Sequence, residues 1–394
     1  MLKICLITPN LLPVPSVNGG AIENLVTNVV REQEKEGRID LTVVSIYSKK
    51  AFEESKRYSK TKFIYIKKNL FYIFLGCIYN ISNRLFKTNL NTYNHIVLRK
   101  IKNMNFDYII AEGGHYESFN EFLKYFSRDK MILHLHHQGK SNVFIDKTFS
   151  KLIGVSKFVT DDFAKSTKVI ETKYLNNGID LSKFDKYVSD SEKLKIREKC
   201  GIKKDDFLVL YCGRLTKVKG VLELIKAVKA TKKKDIKLLI LGSNNFLDGK
   251  GDEYTEKLKE EVKGYESQII FTGYVNNWDV YKYYACTNIV CLPSLWEDAA
   301  PLACIETMIS KKVMLATRTG GAPEYLNKDS SLVVEKDRNV VNNLKKGILT
   351  LYNEKDKLDE MGKKAYEHAK KFNSKNYYFD LIRLLEDFKE EKHG

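Results

Sequence analysis

Short apolar segments separated by longer amphipathic stretches most restrict what this 394-residue chain can fold into. Runs of this kind are typical of parallel β-strands joined by crossover helices. The first half of the chain therefore predicts an α/β fold on a parallel sheet. Its predicted strands are residues 3–9, 41–47, 106–112, 130–136 and 151–156.

The same pattern restarts after a polar, lysine-rich interval near residues 181–204. A chain of this length exceeds the size at which a single core stops growing. We therefore expect two doubly wound units, with ligands bound beyond the carboxyl ends of their strands, in the cleft between them. The predicted strands of the second unit are residues 207–213, 236–242, 268–273, 288–294 and 313–321.

The net charge of +17 is unevenly distributed along the chain. Residues 49–105 hold 13 Lys and Arg but only two acids, which gives 13 − 2 = +11. Within them, residues 69–86 have helical spacing of apolar side chains but fall short of the ~20 residues that span a bilayer. This segment fits a helix that lies on an anionic membrane surface, and it also fits a core helix with a solvated basic rim.

The seven cysteines form no Cys-x-x-Cys pair, and the N-terminus lacks the longer apolar core and cleavage site of a signal peptide. We therefore expect a cytoplasmic protein, at the inner face of the membrane if residues 49–105 bind lipid. The basic charge also raises nucleic-acid binding as an alternative function. No helix-turn-helix, zinc or aromatic-rich binding motif accompanies that charge, so we expect no nucleic-acid partner.

Two fixed cations follow the first strand of the second half. Arg214 comes directly after the strand, and Lys219 lies where an amphipathic helix begins, in "GRLTKVKG" at 213–220. Cations beside the free amides of a helix N-terminus suit a diphosphate group. An ordinary strand–loop–helix with exposed basic residues is the alternative. Neither a dinucleotide fingerprint nor a Walker P-loop is present.

The segment "SLWEDAAPLACIETM" at 294–308 predicts a second loop followed by a helix. Pro301 favours a helix start, which leaves the amides of Leu302 and Ala303 free to face an anion. The small side chain of Ala300 permits close approach of a ligand, and Glu306 on the helix suits the hydroxyls of a ribose. The alternative is a helix start with an acid near its dipole.

Five motifs together resemble family 4 glycosyltransferases, retaining enzymes of the GT-B fold. They are Gly19-Gly20, "NNGID" (176–180), "GRLTKVKG" (213–220), "PSLWEDAAPLACIE" (293–306) and "RTGGAPEY" (318–325). The resemblance covers nearly the whole chain. It implies two Rossmann-like domains that face a deep cleft: an acceptor-binding domain at 1–180 and a nucleotide-sugar-binding domain at 181–375. A C-terminal helix at 376–394 is then expected to pack back on the first domain.

The resemblance also implies roles for individual residues. Arg214 and Lys219 would bind the nucleotide diphosphate, and the Glu-x7-Glu motif of the family corresponds to Asp298 and Glu306. Asp298 would contact or stabilise the donor sugar, and Glu306 would hold the ribose. The chain departs from the family because Asp replaces the first Glu and Ala299-Ala300-Pro301 replaces Gly-Phe-Gly, and Glu297 is a neighbouring candidate for the first acid. The remaining predicted donor-binding residues are Gly19, Gly20, Ala300, Pro301, Leu302 and Ala303.

Histidines after two strands of the first half correspond to cleft-facing histidines of the family. We predict that His115 and His136 contact the transferred sugar or the acceptor, with His134 and His137 as alternates. Alternate residues of a strand point to opposite faces, and we identify no nearby carboxylate or Cys to complete a ligand set. The chain also has no Asp-x-Asp. We therefore predict no metal and no cofactor.

The predicted activity is that of a retaining, metal-independent hexosyltransferase. Its donor would be a nucleotide diphosphate sugar, UDP-linked by the habit of the family. Its acceptor would be a glycan or lipid-linked sugar in cell-surface polysaccharide synthesis. An epimerase or phosphorylase of the same fold is the alternative among enzymes.

Overall fold

The computed structural model of the protein describes residues 1–242, 253–276 and 278–390. It divides into two compact units. Unit 1 comprises Met1–Ile179 with Ser374–Gly394, and unit 2 comprises Asp180–Asn373. The last four residues of the predicted helix 376–394 lie outside the described residues.

The described residues of unit 1 form a seven-stranded parallel sheet in the order β3-β2-β1-β4-β5-β6-β7. The strands are β1 Lys3–Ile7, β2 Asp40–Ile46, β3 Thr61–Ile66, β4 Tyr108–Ala111, β5 Met131–Leu135, β6 Lys151–Gly154 and β7 Glu171–Tyr174. The helices are α1 Ala21–Glu36, α2 Lys49–Ser55, α3 Leu70–Phe86, α4 Thr92–Ile101, α5 Val143–Thr148 and α6 Lys157–Ala164.

The described residues of unit 2 form a six-stranded parallel sheet in the order β10-β9-β8-β11-β12-β13. Its strands are β8 Phe207–Cys212, β9 Ile236–Leu241, β10 Ile269–Gly273, β11 Ile289–Leu292, β12 Val313–Thr317 and β13 Ser331–Val334. Its helices are α7 Asp190–Lys199, α8 Val221–Ala230, α9 Glu253–Val262, α10 Val280–Cys286, α11 Leu302–Ile309, α12 Ala322–Tyr325, α13 Val340–Asn353 and α14 Leu358–Ala369.

Both sheets confirm the predicted doubly wound architecture. In each unit the strand order reverses in the middle of the sheet, and helices connect parallel strands. Central strands such as β4 and β11 are buried along their whole length, which explains their continuous apolar sequences. Each unit has its own core of buried aliphatic and aromatic side chains.

The C-terminal helix α15, Ser374–Glu390, packs on α1 within unit 1. Its buried side chains, among them Leu381, Leu385 and Phe388, join the core of that unit. The Tyr378 hydroxyl donates a hydrogen bond to Oε1 of Gln33 and accepts one of 3.2 Å from the Arg38 amide. The chain therefore returns to its first unit, as the sequence predicts.

The exposure of helix α3 excludes one of the two structures predicted for residues 69–86. None of its 17 residues is buried, so it is not a core helix. We find no helix in the described part of the chain with the length and apolar character that a bilayer crossing requires.

Candidate functional site

The carboxyl ends of β8 and β11 mark the place in unit 2 where the strand order reverses. The two strands are neighbours, with Ile289 beside Val209. The chain runs from β8 to one side of the sheet and from β11 to the other, which is the arrangement at which ligands bind in doubly wound sheets. These loops, residues 213–220 and 293–301, hold two of the sequence motifs.

The backbones of the two loops pack directly on one another at Gly220. This residue has a φ of +70°, and a Cβ placed on it would lie 1.8 Å from the carbonyl oxygen of Pro293. Beside this contact, the Leu295 amide donates a hydrogen bond of 2.9 Å to the Val218 carbonyl. A residue with a side chain could not sit at position 220 without displacing the second loop.

Lys219 and Asp298 meet across this contact. The Lys219 Nζ lies 2.6 Å from Oδ1 and 2.8 Å from Oδ2 of Asp298. The Ser294 hydroxyl donates a third hydrogen bond, of 2.9 Å, to the same carboxylate. Arg214 is exposed, and its side chain makes no ion pair with any described residue. The structure thus holds one cation of the predicted diphosphate site in an ion pair and leaves the other accessible.

The helix α11 begins one residue later than the sequence predicts. Pro301 is its capping residue and Leu302 is its first helical residue, because the Pro301 backbone is extended, with ψ of 108°. Among the described residues, the amides of Leu302 and Ala303 have no hydrogen-bond acceptor. Ala300 lies in the loop directly before the cap. The helix therefore presents free donors at its positive end.

Glu306 lies on α11 and is half-buried. Its Oε2 accepts a hydrogen bond of 3.2 Å from the Tyr284 hydroxyl. Burial raises the pKa of Glu306 to about 7, although the Tyr284 hydrogen bond and the charge of Lys183 act in the opposite direction. This carboxyl group thus changes charge near neutral pH.

We expect Glu306→Gln to stabilise the protein above pH 7. A carboxyl group with a pKa of about 7 when folded and about 4.5 when unfolded binds more protons in the folded state between these values. The free energy of unfolding of the parent chain should therefore fall as pH rises from 4.5 to 7, and the variant should escape this loss. At pH 8 the gain should be roughly 2–3 kcal/mol in urea unfolding.

The exposed Glu198 provides a matched substitution, because Glu198→Gln removes the same charge from the surface of unit 2. It should change the free energy of unfolding little at either pH. A gain for Glu306→Gln that is equally large at pH 5 and pH 8 would contradict a raised pKa as its cause.

Glu297 faces different partners from its neighbour Asp298. Its carboxylate accepts hydrogen bonds from the Gly320 amide and from Lys336. Burial alone would raise the pKa of Glu297, but these two hydrogen bonds outweigh burial and lower the pKa. Glu297 thus ties the 293–301 loop to the Gly320-Gly321 turn, while Asp298 pairs with Lys219.

Gly19 and Gly20 precede α1 in unit 1, with φ angles of +82° and +99°. A Cβ on Gly20 would lie 2.0 Å from Oε2 of Glu23, whereas a Cβ on Gly19 would meet no atom within 4 Å. Gly20 therefore fits tightly against the first turn of α1, and Gly19 leaves its backbone accessible.

Glu112, which sequence reasoning missed, joins His134 and His136 at the ends of β4 and β5. Its Oε2 lies 2.8 Å from Nδ1 of His134 and 2.9 Å from Nε2 of His136. Burial would raise the pKa of Glu112, but the two imidazoles hold it at about 2. Burial and the neighbouring His134 lower the pKa of His136 to about 4, despite the contact with Glu112. His136 is therefore neutral at neutral pH, and Glu112 remains an ionised, buried carboxylate in contact with both imidazoles.

This cluster contradicts the expectation that no carboxylate lies near the histidines to complete a metal ligand set. The rings of His134 and His136 lie 4.2 Å apart, because His136 follows the end of β5 and no longer alternates with His134. Glu112 supplies the carboxylate, and one atom from each of the three side chains lies within 4.8 Å of the others. These three residues could hold a metal ion, although their ligand atoms already satisfy one another by hydrogen bonds.

His115 and His137 are both exposed. His115 lines a polar cavity of 290 Å³ together with asparagine side chains, among them Asn80 and Asn89. The carbonyl oxygen of His115 accepts hydrogen bonds from Asn94 and Ser118, which fix the loop after β4. The Nδ1 of His137 lies 2.8 Å from the Gln138 carbonyl. His115 thus lines an accessible polar cavity.

Residues 192–368 match the family described as Glycosyl transferases group 1. An uncharacterized glycosyltransferase of Methanocaldococcus jannaschii is 30% identical over 179 residues, which are 45% of this chain and 44% of that protein. The lipopolysaccharide 1,2-N-acetylglucosaminetransferase of Salmonella typhimurium is 25% identical over 50% of this chain and 51% of its own length. The alignments thus span about half of these two relatives.

The whole chain resembles a solved structure. The Anabaena protein HepE, crystallised in complex with UDP, aligns over 98% of this chain and 100% of its own, with a TM-score of 0.75 and 16% identity. At this identity the likeness shows the fold, which is the GT-B fold expected from the sequence. Residues 192–368, which hold Arg214, Lys219, Asp298 and Glu306, match the family of group 1 glycosyl transferases.

Proposed function

We propose that this protein is a retaining glycosyltransferase that transfers a sugar from a UDP-linked donor to a hydroxyl group of a glycan or lipid-linked acceptor. One observation carries the proposal: an accessible arginine, a lysine–aspartate pair and free helix amides converge where the strand order of the matched unit reverses. A nucleotide diphosphate has the charge and the hydroxyl groups that such a site can bind.

In the proposed donor site, each part of the nucleotide sugar is bound by a different group of the protein. Arg214 and the amides of Leu302 and Ala303 bind the diphosphate, and Glu306 accepts hydrogen bonds from the ribose. Asp298 orients Lys219 toward the phosphates and lies within reach of the sugar. The choice of UDP rests on the ligand of the Anabaena structure, since the sequence motifs leave the base open.

The proposed reaction breaks the bond between the anomeric carbon and the phosphate oxygen and forms a bond from that carbon to the acceptor oxygen on the same face. The departing phosphate oxygen takes the proton of the acceptor hydroxyl. Arg214, Lys219 and the helix amides stabilise the negative charge that grows on the phosphate. No metal ion takes part in the proposed reaction, because these protein groups supply the positive charge.

Unit 1 supplies the acceptor groups in this proposal. The asparagine-lined cavity beside His115 offers amide donors and acceptors that suit the hydroxyl groups of a saccharide. The neutral His136, with its Nε2 directed at Glu112, is a second candidate contact for the sugar or the acceptor. The free cysteines fit a reducing compartment, so we place the reaction in the cytoplasm. The name of the Salmonella relative supports a role in the synthesis of a cell-surface glycan.

A ligand screen tests this function. We expect UDP and one or more UDP-sugars to raise the melting temperature of the full chain by several degrees, and GDP to raise it less. The effective UDP-sugar should also be hydrolysed slowly, with release of UDP and free sugar of unchanged anomeric configuration. Absence of both stabilisation and hydrolysis across UDP- and GDP-sugars would overturn the proposal.

A further inference from the structure

The helix α3 exposes an apolar face where a surface helix normally exposes a polar one. Its outward residues recur at helical spacing, and between 43% and 85% of each side chain is accessible to solvent. Phe71, Ile73 and Phe86 enlarge the same surface. A contiguous apolar surface of this kind marks a site of interaction. The outward residues are Leu70, Phe74, Ile78, Ile81 and Leu85.

The opposite face of α3 is held against the rest of unit 1 by mixed polar and aromatic contacts. The Tyr79 ring packs edge-on against His95 of α4, with ring centroids 5.5 Å apart. Asn83 Nδ2 donates a hydrogen bond of 2.8 Å to the Leu90 carbonyl, and Asn83 Oδ1 accepts one of 2.9 Å from the Leu90 amide. The Asn69 side chain caps the first turn by accepting from the Tyr72 amide at 3.0 Å. These contacts fix the rotation of the helix and keep its apolar face outward.

The chain segment that contains α3 carries only positive charges among its side chains. Residues 55–106 contain eleven Lys and Arg and no acidic residue. Lys67 and Lys68 precede the helix, Arg84 and Lys87 lie at its end, and all four are exposed. Lys67 also lines a cavity of 510 Å³ together with Arg99, Lys100 and Phe71. Basic side chains thus surround the apolar face at both ends.

We propose that α3 and its basic flanks dock this protein on a bilayer that contains anionic phospholipid. The apolar face would enter the boundary between headgroups and acyl chains, with the 17-residue helix parallel to the surface, and Lys67, Arg99 and Lys100 would contact lipid phosphates. This inference goes beyond the proposed transfer reaction. A second copy of the chain is disfavoured as the occupant, since a symmetric contact would bring two strongly basic surfaces together.

Vesicle sedimentation with the full chain tests the proposal. We expect sedimentation with vesicles of 70% phosphatidylcholine and 30% phosphatidylglycerol, and at least about tenfold weaker binding to pure phosphatidylcholine. The double substitution Phe74→Asp and Ile78→Asp should weaken binding to the anionic vesicles by about tenfold or more, because it places charge on the inserted face. The melting temperature should change little, since both side chains are exposed.

Tyr187→Asp provides a control, because it introduces an aspartate at an exposed aromatic position in unit 2, away from α3. It should sediment like the parent chain. Failure of the parent chain to bind anionic vesicles at low salt would overturn the proposal. So would equal binding by the α3 double variant, or a concentration-dependent dimer that the double variant abolishes without any vesicle binding by the parent. UDP stabilisation is measured separately, so failure here leaves the donor site unaffected.

Discussion

Replacement of Arg214 by alanine is expected to lower the rate of sugar transfer or donor hydrolysis by about 10²–10³-fold. In the proposed reaction this guanidinium stabilises charge that develops on the departing phosphate, and such an interaction contributes most in the transition state. Arg214 is exposed and makes no ion pair with any described residue, so its removal leaves no buried group without a partner. The melting temperature without ligand should therefore stay within about a degree of the parent value.

Lys217→Ala is the matched control for this prediction. Lys217 is also an exposed cation in the loop 213–220, but it is not one of the residues assigned to the diphosphate. Its removal should lower UDP affinity less than twofold in calorimetric titrations, whereas Arg214→Ala should lower it at least about tenfold. Equal losses in the two variants would indicate a general effect of loop charge and would contradict the assignment of Arg214.

Lys219 should behave differently from Arg214, because Lys219 already has a partner. Removal of the lysine leaves the carboxylate of Asp298 with the Ser294 hydroxyl as its one remaining donor among the residues that the structure describes. Lys219→Ala should therefore reduce both activity and the free energy of unfolding, the latter by about 1–3 kcal/mol. Addition of Asp298→Asn should restore part of the stability without restoring activity.

The strands that sequence reasoning missed all lie at sheet edges, although the edge strand β10 was predicted. The central strands were found because burial on both faces demands uninterrupted apolar residues. The missed strands are β3, β7 and β13, and each lies at an edge. The β7 sequence "ETKY" has no buried residue, so it contains no apolar pattern to recognise. An edge strand such as β7 is thus defined by pairing with a neighbour, which a single sequence does not reveal.

In the candidate site, too, the sequence predicts what depends on neighbouring residues and not what depends on contacts between distant segments. The positions of Arg214, Lys219 and Glu306 in their elements follow from motifs that are local in sequence. The pairing of Lys219 with Asp298 joins residues 79 positions apart and depends on the packing of two loops. Glu112 could have been noticed, because it directly follows β4 as His136 follows β5. Its contact with both His134 and His136 required knowledge that β4 and β5 are neighbours.

A second large effect is expected from Gly220→Ala. The added Cβ would lie 1.8 Å from the Pro293 carbonyl oxygen, a backbone atom that cannot rotate away. The loop 293–301 must therefore move, and with it Asp298 and the start of α11. We expect a loss of about 3–5 kcal/mol in the free energy of unfolding and loss of measurable UDP binding.

Gly201→Ala separates this steric effect from the cost of the backbone conformation. Gly201 has a φ of +68°, nearly that of Gly220, but a Cβ placed on it would meet no atom within 4 Å. Its substitution should cost only the strain of a left-handed residue, about 1 kcal/mol, and should leave UDP affinity unchanged. The two variants are compared by their free energies of unfolding in urea and their UDP affinities in calorimetric titration. The difference between them measures the contribution of the contact between the two loops. Equal losses would mean that the two loops do not pack through Gly220, and the pairing of Lys219 with Asp298 would then lose its structural basis.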